Sequence, residues 1–389
     1  MNNKSLKLRG GAAAVVLAAL AACGGSDDGA TGTLLLSLTD APACGYDKVH
    51  VTVEKIRVHR SGSAAEGEGG WSEITLAAPK RIDLLSLTNG ALEDLGQVSL
   101  PAGRYTQLRL VLAENRGATP LANAVLPSGS TTEVPLATPS AQQSGLKVKV
   151  DMDVAAGRTS GFVIDFDACK SIVATGAGGY LLKPVLRVMA RTANGVSGVV
   201  EPAIANGSTT VSLQKDGVAV RSTVPAADGR FLLQPVEPGT YTLVLTAPDR
   251  ATAVVRNVVV TADAVVTLNN SAPLALDTSA SGTLSGTVTT GTTPVDATVR
   301  ALQALTGGPR IELVSRPADG ATGAFSYRVP VAAPQVASYA AGGSTLTFAA
   351  DSGAAGRYGL EATSGTSSKA AGPFTLGANG AATASFTFP

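Results

Sequence analysis

Histidine is nearly missing from this chain, with two residues in 389, and cysteine is scarce at three. A zinc site draws on about four Cys or His ligands held close together, so five such residues along the whole chain leave that chemistry little material. Aromatic residues make up 4% and charged residues 15% of the chain, against roughly 25% charged in ordinary soluble domains. The formal net charge is only +1, and no basic run interleaves with aromatics, which excludes the electrostatic footprint of nucleic-acid binding. No phosphate-cradling Gly-Lys-Ser/Thr loop, nucleophile elbow or dinucleotide fingerprint occurs, and no cofactor is implied. What is plentiful is glycine, with 44 residues, followed by 21 prolines, in a chain long enough for two or three domains.

The N-terminus reads as an address. Lys4, Lys7 and Arg9 precede an apolar run from Ala12 to Ala22 that contains no acid, the n-region and h-region of a secretory signal. The run is too short to span a bilayer. It ends in Leu20-Ala21-Ala22-Cys23, which resembles the lipobox of bacterial lipoproteins. The resemblance implies cleavage before Cys23, a diacylglycerol on its sulfur, a fatty acid such as palmitate on the new amino group, and hence a membrane partner reached through lipid. Gly24 to Gly29 reads as a flexible tether, and Gly24 rather than Asp after the cysteine points to the outer membrane. Losing Lys4, Lys7 and Arg9 with the leader leaves all 29 acidic residues and a formal charge of −2.

Two cysteines remain, Cys44 and Cys169. In an oxidising compartment an even pair reads as a disulfide, worth up to about 4–5 kcal/mol for so long a loop in the chain-entropy model. A catalytic thiol needs a His partner, and only His50 and His59 are at hand.

Beyond the leader the dominant period is two, the mark of half-buried strands. Leu146, Val148, Val150, Met152 and Val154 alternate with Lys147, Lys149, Asp151 and Asp153, and Thr106, Leu108, Leu110 and Leu112 repeat the pattern. Val49, Val51 and Val53 alternate until the phase slips to Ile56 and Val58, which predicts a bulge near Glu54-Lys55. One short helix is plausible at Leu84–Asp94, broken by Asn89-Gly90.

Residues 31–192 contain Leu38-Thr39-Asp40-Ala41-Pro42, Tyr46-Asp47-Lys48-Val49, Ile82-Asp83-Leu84-Leu85, Leu100-Pro101-Ala102-Gly103-Arg104-Tyr105, Phe166-Asp167 and Leu182-Lys183-Pro184-Val185-Leu186. With these motifs the segment resembles the domain of unknown function 4382 of bacterial lipoproteins, which implies a β-rich extracytoplasmic module. Residues 193–276 carry Asp228-Gly229-Arg230-Phe231 and Val236-Glu237-Pro238-Gly239-Thr240-Tyr241, two turn signals each followed by an aromatic. This resembles the carboxypeptidase regulatory-like fold, an immunoglobulin-like or transthyretin-like β-sandwich. Residues 279–389 echo that module in Gly282–Val288, Gly323-Ala324-Phe325 and Gly356-Arg357-Tyr358. The expected architecture is therefore all-β: a leader (1–22), a lipidated tether (23–30), a β-rich module (31–192) and two β-sandwiches in tandem (193–276 and 279–389). In such arrays each module adds reach or an interaction face. An outer-membrane barrel is disfavoured because its aromatic girdles find no Trp in 193–389.

Candidate chemistry rests on carboxylates. Asp151 and Asp153, and again Asp165 and Asp167, stand two apart, about 6–7 Å along one strand face. Gathered together they would suit Ca²⁺ or a glycosidase acid pair; the alternative is a solvated face shared with Lys147 and Lys149. His50 and His59 lie about 30 Å apart on one strand and cannot share a metal. Trp71 is either core or a platform for sugar stacking. The sequence thus points to a lipid-anchored, non-enzymatic binding, adhesion or structural scaffold of the cell envelope, with envelope proteins or glycans as partners. Carbohydrate binding is the first alternative and a metal-dependent hydrolase the second.

Overall fold

The computed structural model describes residues 30–40, 45–117, 119–139, 144–269, 272–341 and 345–389, and nearly all regular structure in it is strand. In the first module β1 (Thr31–Asp40), β2 (Tyr46–His59), β3 (Ser72–Asp83), β4 (Glu93–Pro101), β5 (Gly103–Leu112), β6 (Ala124–Pro127), β7 (Val134–Ala137), β8 (Leu146–Val154), β9 (Thr159–Phe166), β10 (Ile172–Ala174), β11 (Tyr180–Leu182) and β12 (Leu186–Ala190) build two sheets. One runs β12-β9-β1-β4 and the other β10-β11-β7-β6-β2-β5-β8, with β3 also on β2. The alternation read in β8 is present: Leu146, Val148, Met152 and Val154 are buried, whereas Lys147, Lys149, Asp151 and Asp153 face solvent. The register of β2 shifts between Val53 and Lys55 against both β3 and β5. That bulge lets Val49, Val51 and Val53 before it and Ile56 and Val58 after it all reach one core.

The second module holds β13 (Gly195–Val199), β14 (Thr210–Lys215), β15 (Val218–Thr223), β16 (Arg230–Leu233), β17 (Gly239–Thr246), β18 (Ala253–Val260) and β19 (Val265–Thr267). The third holds β20 (Ser281–Thr289), β21 (Thr298–Ala304), β22 (Arg310–Pro317), β23 (Ala324–Pro330), β24 (Gln335–Ser338), β25 (Ala349–Ala350), β26 (Arg357–Ser364), β27 (Ser367–Thr375) and β28 (Ala381–Thr387).

One seven-strand sandwich recurs three times. The opening strand of each module is antiparallel to its fourth and parallel to a late strand: β1 with β4 and β9, β13 with β16 and β19, β20 with β23 and β28. The facing sheets run β3-β2-β5-β8, β15-β14-β17-β18 and β22-β21-β26-β27. The shared geometry has local causes. Phe231 packs over Gly198 and Phe325 over Gly286, and a Cβ on either glycine would collide with the ring. A tyrosine opens the same strand of the large sheet in each module. The Tyr105 hydroxyl donates to Pro101 O at 2.9 Å, the Tyr241 hydroxyl to Glu237 O at 2.8 Å, and the Tyr358 hydroxyl to Pro330 O. Such a bond satisfies the polar end of a buried ring.

Each module has its own apolar core, but the second is completed by the third. β24 adds in parallel to the free edge of β18, pairing Ala253 with Gln335 through Arg256 with Ser338. Tyr339, Leu346 and Phe348 then pack on the second core. An uncovered strand edge is a liability, and here the neighbouring module covers it.

The expected helix at Leu84–Asp94 is a single 3-10 turn, Leu84–Ser86, capped by Asp83. Asn89 and Gly90 both adopt positive φ, 57° and 80°, a turn that sends the chain into β4 rather than onward as helix.

Candidate functional site: the three-module junction

Buried and half-buried ion pairs gather where the modules meet. The first module contributes the one-turn helix Ala168–Ser171, capped by Asp167, whose carboxylate accepts from Lys170 N at 3.1 Å. The Lys170 ammonium lies 3.1 Å from Asp167 Oδ2 and 3.7 Å from Glu312 Oε1 of β22. Burial alone would lower its pKa, but the Asp167 and Glu312 carboxylates outweigh burial and hold it above the ordinary lysine value. Glu312 is in turn gripped by Arg300 Nε at 2.6 Å, and Arg300 reaches Glu361 at 2.9 Å and the Gly217 carbonyl of the second module.

Between the second and third modules the Gln214 amide reads the backbone of Glu312 in both directions. Its Nε2 donates to Glu312 O at 2.7 Å, and its Oε1 accepts from Glu312 N at 2.8 Å. Beside it Val244, Val254, Leu305 and Ile311 form a small apolar cluster. Leu243, Val244 and Leu245 are therefore buried in succession, because the outer face of this sheet meets another module instead of water.

Between the first and second modules Arg221 of β15 is buried against Asp165 of β9. Its other nitrogen donates to Thr39 Oγ1 at 2.9 Å and Gln234 O at 3.0 Å. Burial pushes the Asp165 carboxyl above its usual value, against the pull of the Arg221 guanidinium. Asn89 works at the same interface: its side-chain oxygen accepts from Leu232 N at 2.5 Å, and its own N–H donates to Thr223 Oγ1 at 2.7 Å. The first and third modules also touch through Lys183–Asp296 at 3.0 Å and Gly320 N–Ala174 O at 2.7 Å. Each module thus contacts the other two, and the third folds back on the first rather than extending the array in line. These surfaces enclose a cleft of about 530 Å³, bounded by Tyr46, Lys170, Ser212, Gln214 and Glu312. Burial raises the Tyr46 hydroxyl to about 12, so it stays a neutral phenol.

The carboxylates singled out in the sequence do not converge. Asp151 is exposed and paired with Arg104 at 2.6 and 2.8 Å, a hydrogen-bonded pairing that lowers its pKa. Asp153 is exposed on the same strand. Asp165 lies on β9 of the other sheet and Asp167 just beyond that strand, and they are committed to Arg221 and Lys170. Among the described residues no group of three or more His, Cys, Asp or Glu is placed to hold a metal ion. His50 and His59 lie on β2, the first beside Glu133 and the second bonded to the Gly69 carbonyl. Trp71 is partly exposed; its indole N–H donates to Ala65 O at 2.9 Å. The Arg57 and Arg109 guanidinium carbons lie 4.7 and 4.9 Å from its ring centroid. Cys169 sits in the junction helix and is disulfide-bonded. Cys23 and Cys44 lie outside the described residues. Among those residues no helix is long and apolar enough to cross a membrane.

Residues 31–184 match the family described as a domain of unknown function (DUF4382). No curated protein matches the chain. Among solved structures, a chain of a type II cohesin–X-dockerin complex from Acetivibrio cellulolyticus is 25% identical over 22% of this chain and 58% of its own, with a TM-score of 0.19. The Bacillus anthracis TIE protein is 12% identical over 92% of this chain and 50% of its own, TM-score 0.17. The major pilin subunit BcpA of Bacillus cereus is 10% identical over 92% and 99%, TM-score 0.14. This chain spans about half to three-fifths of the first two.

Arg221, Lys170, Gln214 and Glu312, the residues that organise the junction, carry no motif. The one sequence signal for them is polarity inside strands otherwise read as half-buried, as at Gln214 between Leu213 and Lys215.

Proposed function

We propose that the protein is a non-enzymatic, lipid-anchored structural scaffold of the cell envelope that acts as one stiff body of three sandwiches. The observation that carries this reading is the mutual locking of the modules: buried or half-buried ionic and amide contacts close all three interfaces. Ordinary inter-domain interfaces permit relative motion, whereas buried charges that lose their partners when an interface opens oppose it. The charged groups at the junction are paired with one another across it. The leader, Cys23 and the glycine-rich tether support anchoring through lipid at the outer membrane, with envelope proteins or glycans as partners. Cys44 completes the reading as the partner of Cys169, a staple between the start of the first module and the junction helix.

Two measurements test it. Cys23→Ser should release the protein from the membrane fraction. Small-angle scattering of the mature chain should give one compact particle whose dimensions do not change with salt. A membrane-bound Cys23→Ser protein would remove the anchor from the account; an extended, flexible scattering profile would remove the scaffold.

A further inference from the structure

A second cleft, of about 480 Å³, runs between the second and third modules beside the junction. Its charge is one-sided. Arg250, Arg316 and Arg328 line it, and Asp249 is the one carboxylate along the described walls. Asp249 is already engaged: its Oδ1 accepts from Arg328 at 3.0 Å and from the Ser281 hydroxyl at 3.0 Å. Arg250 bonds to the Leu276 carbonyl at 3.2 Å, and neither it nor Arg316 has a carboxylate partner among the described residues. Arg250 is half-buried and Arg316 exposed at the cleft. Two guanidinium groups without a carboxylate partner thus line one concave place.

The remaining walls are rich in hydroxyls, with Ser208, Thr210, Thr246, Ser281 and Ser326 along them. The Thr252 hydroxyl, buried in the wall, has no hydrogen-bond partner among the described residues, so the wall carries polar capacity that the fold does not use. The size falls in the range of small-ligand sites. Guanidinium forks recognise planar carboxylates in bidentate fashion, and dispersed hydroxyls suit a ligand that brings its own.

We propose that this cleft binds an acidic saccharide, with Arg250 and Arg316 receiving the sugar carboxylates and the serine and threonine hydroxyls receiving the ring hydroxyls. The site lies elsewhere than Trp71, and its existence does not depend on the scaffold role or on the lipid anchor. Arg316 also bounds the first cleft, so an occupant would bridge the second and third modules close to where the first joins them.

Isothermal titration of the mature, unlipidated chain tests the proposal with three probes: trigalacturonate, neutral maltotriose and inorganic phosphate. Saturable binding of trigalacturonate is expected, with no binding of maltotriose at the same concentration. Arg316→Gln and Arg250→Gln should each weaken it about ten-fold, the scale of a lost charge-assisted bond, with the melting temperature retained, and Trp71→Ala should leave it unchanged. Absence of trigalacturonate binding would overturn the proposal. So would equal binding of maltotriose, binding that Trp71→Ala abolishes and Arg316→Gln spares, or phosphate binding that displaces the sugar acid at equal concentration. The last result would mark a simple anion site.

Discussion

Arg221 and Asp165 form an ion pair sealed between two modules, their side chains only 4% and 9% exposed. Removing one partner of such a pair leaves a buried charge uncompensated, at a cost of about 3–5 kcal/mol, whereas replacing both by apolar groups is often neutral. Arg221→Met should therefore destabilise strongly in denaturant titrations, and adding Asp165→Leu should restore much of the loss. The pH dependence follows from the same geometry. The folded-state pKa of Asp165 is raised, and the loss of Arg221 raises it further. The deficit of Arg221→Met should be small below the unfolded carboxyl value of about 3.9 and grow as pH rises through the folded value. A deficit under about 1 kcal/mol at neutral pH would contradict the role given to the pair.

Gln214 presents a sharper case because, besides the Ser212 hydroxyl, its partners are two backbone groups that cannot move away. Gln214→Leu leaves the Glu312 N–H and C=O unpaired at a buried interface. Each orphaned group costs about 1–3 kcal/mol, so a total of about 2–6 kcal/mol is expected. Hydrogen exchange should show the Glu312 amide losing protection while the core of the first module keeps its own. Unchanged protection at Glu312 would contradict the assignment.

His50 gives a pH-dependent prediction of opposite form. Burial lowers its pKa below 6.5, with Arg81 and Lys48 acting in the same direction and Asp83 and Glu133 opposing. Because the folded pKa is depressed, the unfolded chain takes up the proton first as pH falls. Stability is fully present above about 6.5 and declines as pH drops through that value towards the folded pKa. His50→Gln should flatten the stability profile between pH 7 and 5. An identical slope in both proteins would assign that pH dependence to other groups.

The tight pairing of β20 with β28 depends on Gly286. A Cβ there would fall on the Ala384 carbonyl oxygen and press on the Phe325 ring. Gly286→Ala should destabilise the third module by more than the 1 kcal/mol typical of point substitutions, with loss of near-ultraviolet signal from its aromatics. A melting temperature within one degree of the parent would show that the strands can separate to admit a methyl group.

Much of the fold was legible because it is written locally. Alternation marked β8 and most of β5, the phase slip between Val53 and Ile56 marked the bulge, and Gly-Phe and Gly-Tyr steps marked two turns of the second module with echoes in the third. The threefold recurrence was only half visible. The first module shares the topology but interrupts it with β6 and β7 between β5 and β8, which hides the spacing. Cross-module features left no local trace. β24 is four residues, Gln335–Ser338, and its partner Ala253–Arg256 lies some eighty residues away, so no periodicity joins them. In the sequence Asp165 stands out only by its spacing to Asp167, yet its role comes from Arg221, which only the tertiary fold brings to it.

The central claim is that the three modules behave as one body, and Trp71 offers a direct test. It is the sole tryptophan, and it lies in the first module, so its fluorescence follows that module while far-ultraviolet circular dichroism follows all three. In a urea titration of the mature chain the two signals should change at the same midpoint, and Gln214→Leu combined with Arg221→Met should separate them. Distinct midpoints in the unmodified protein would show that the sandwiches unfold independently, and the interlocked scaffold would fall with that result.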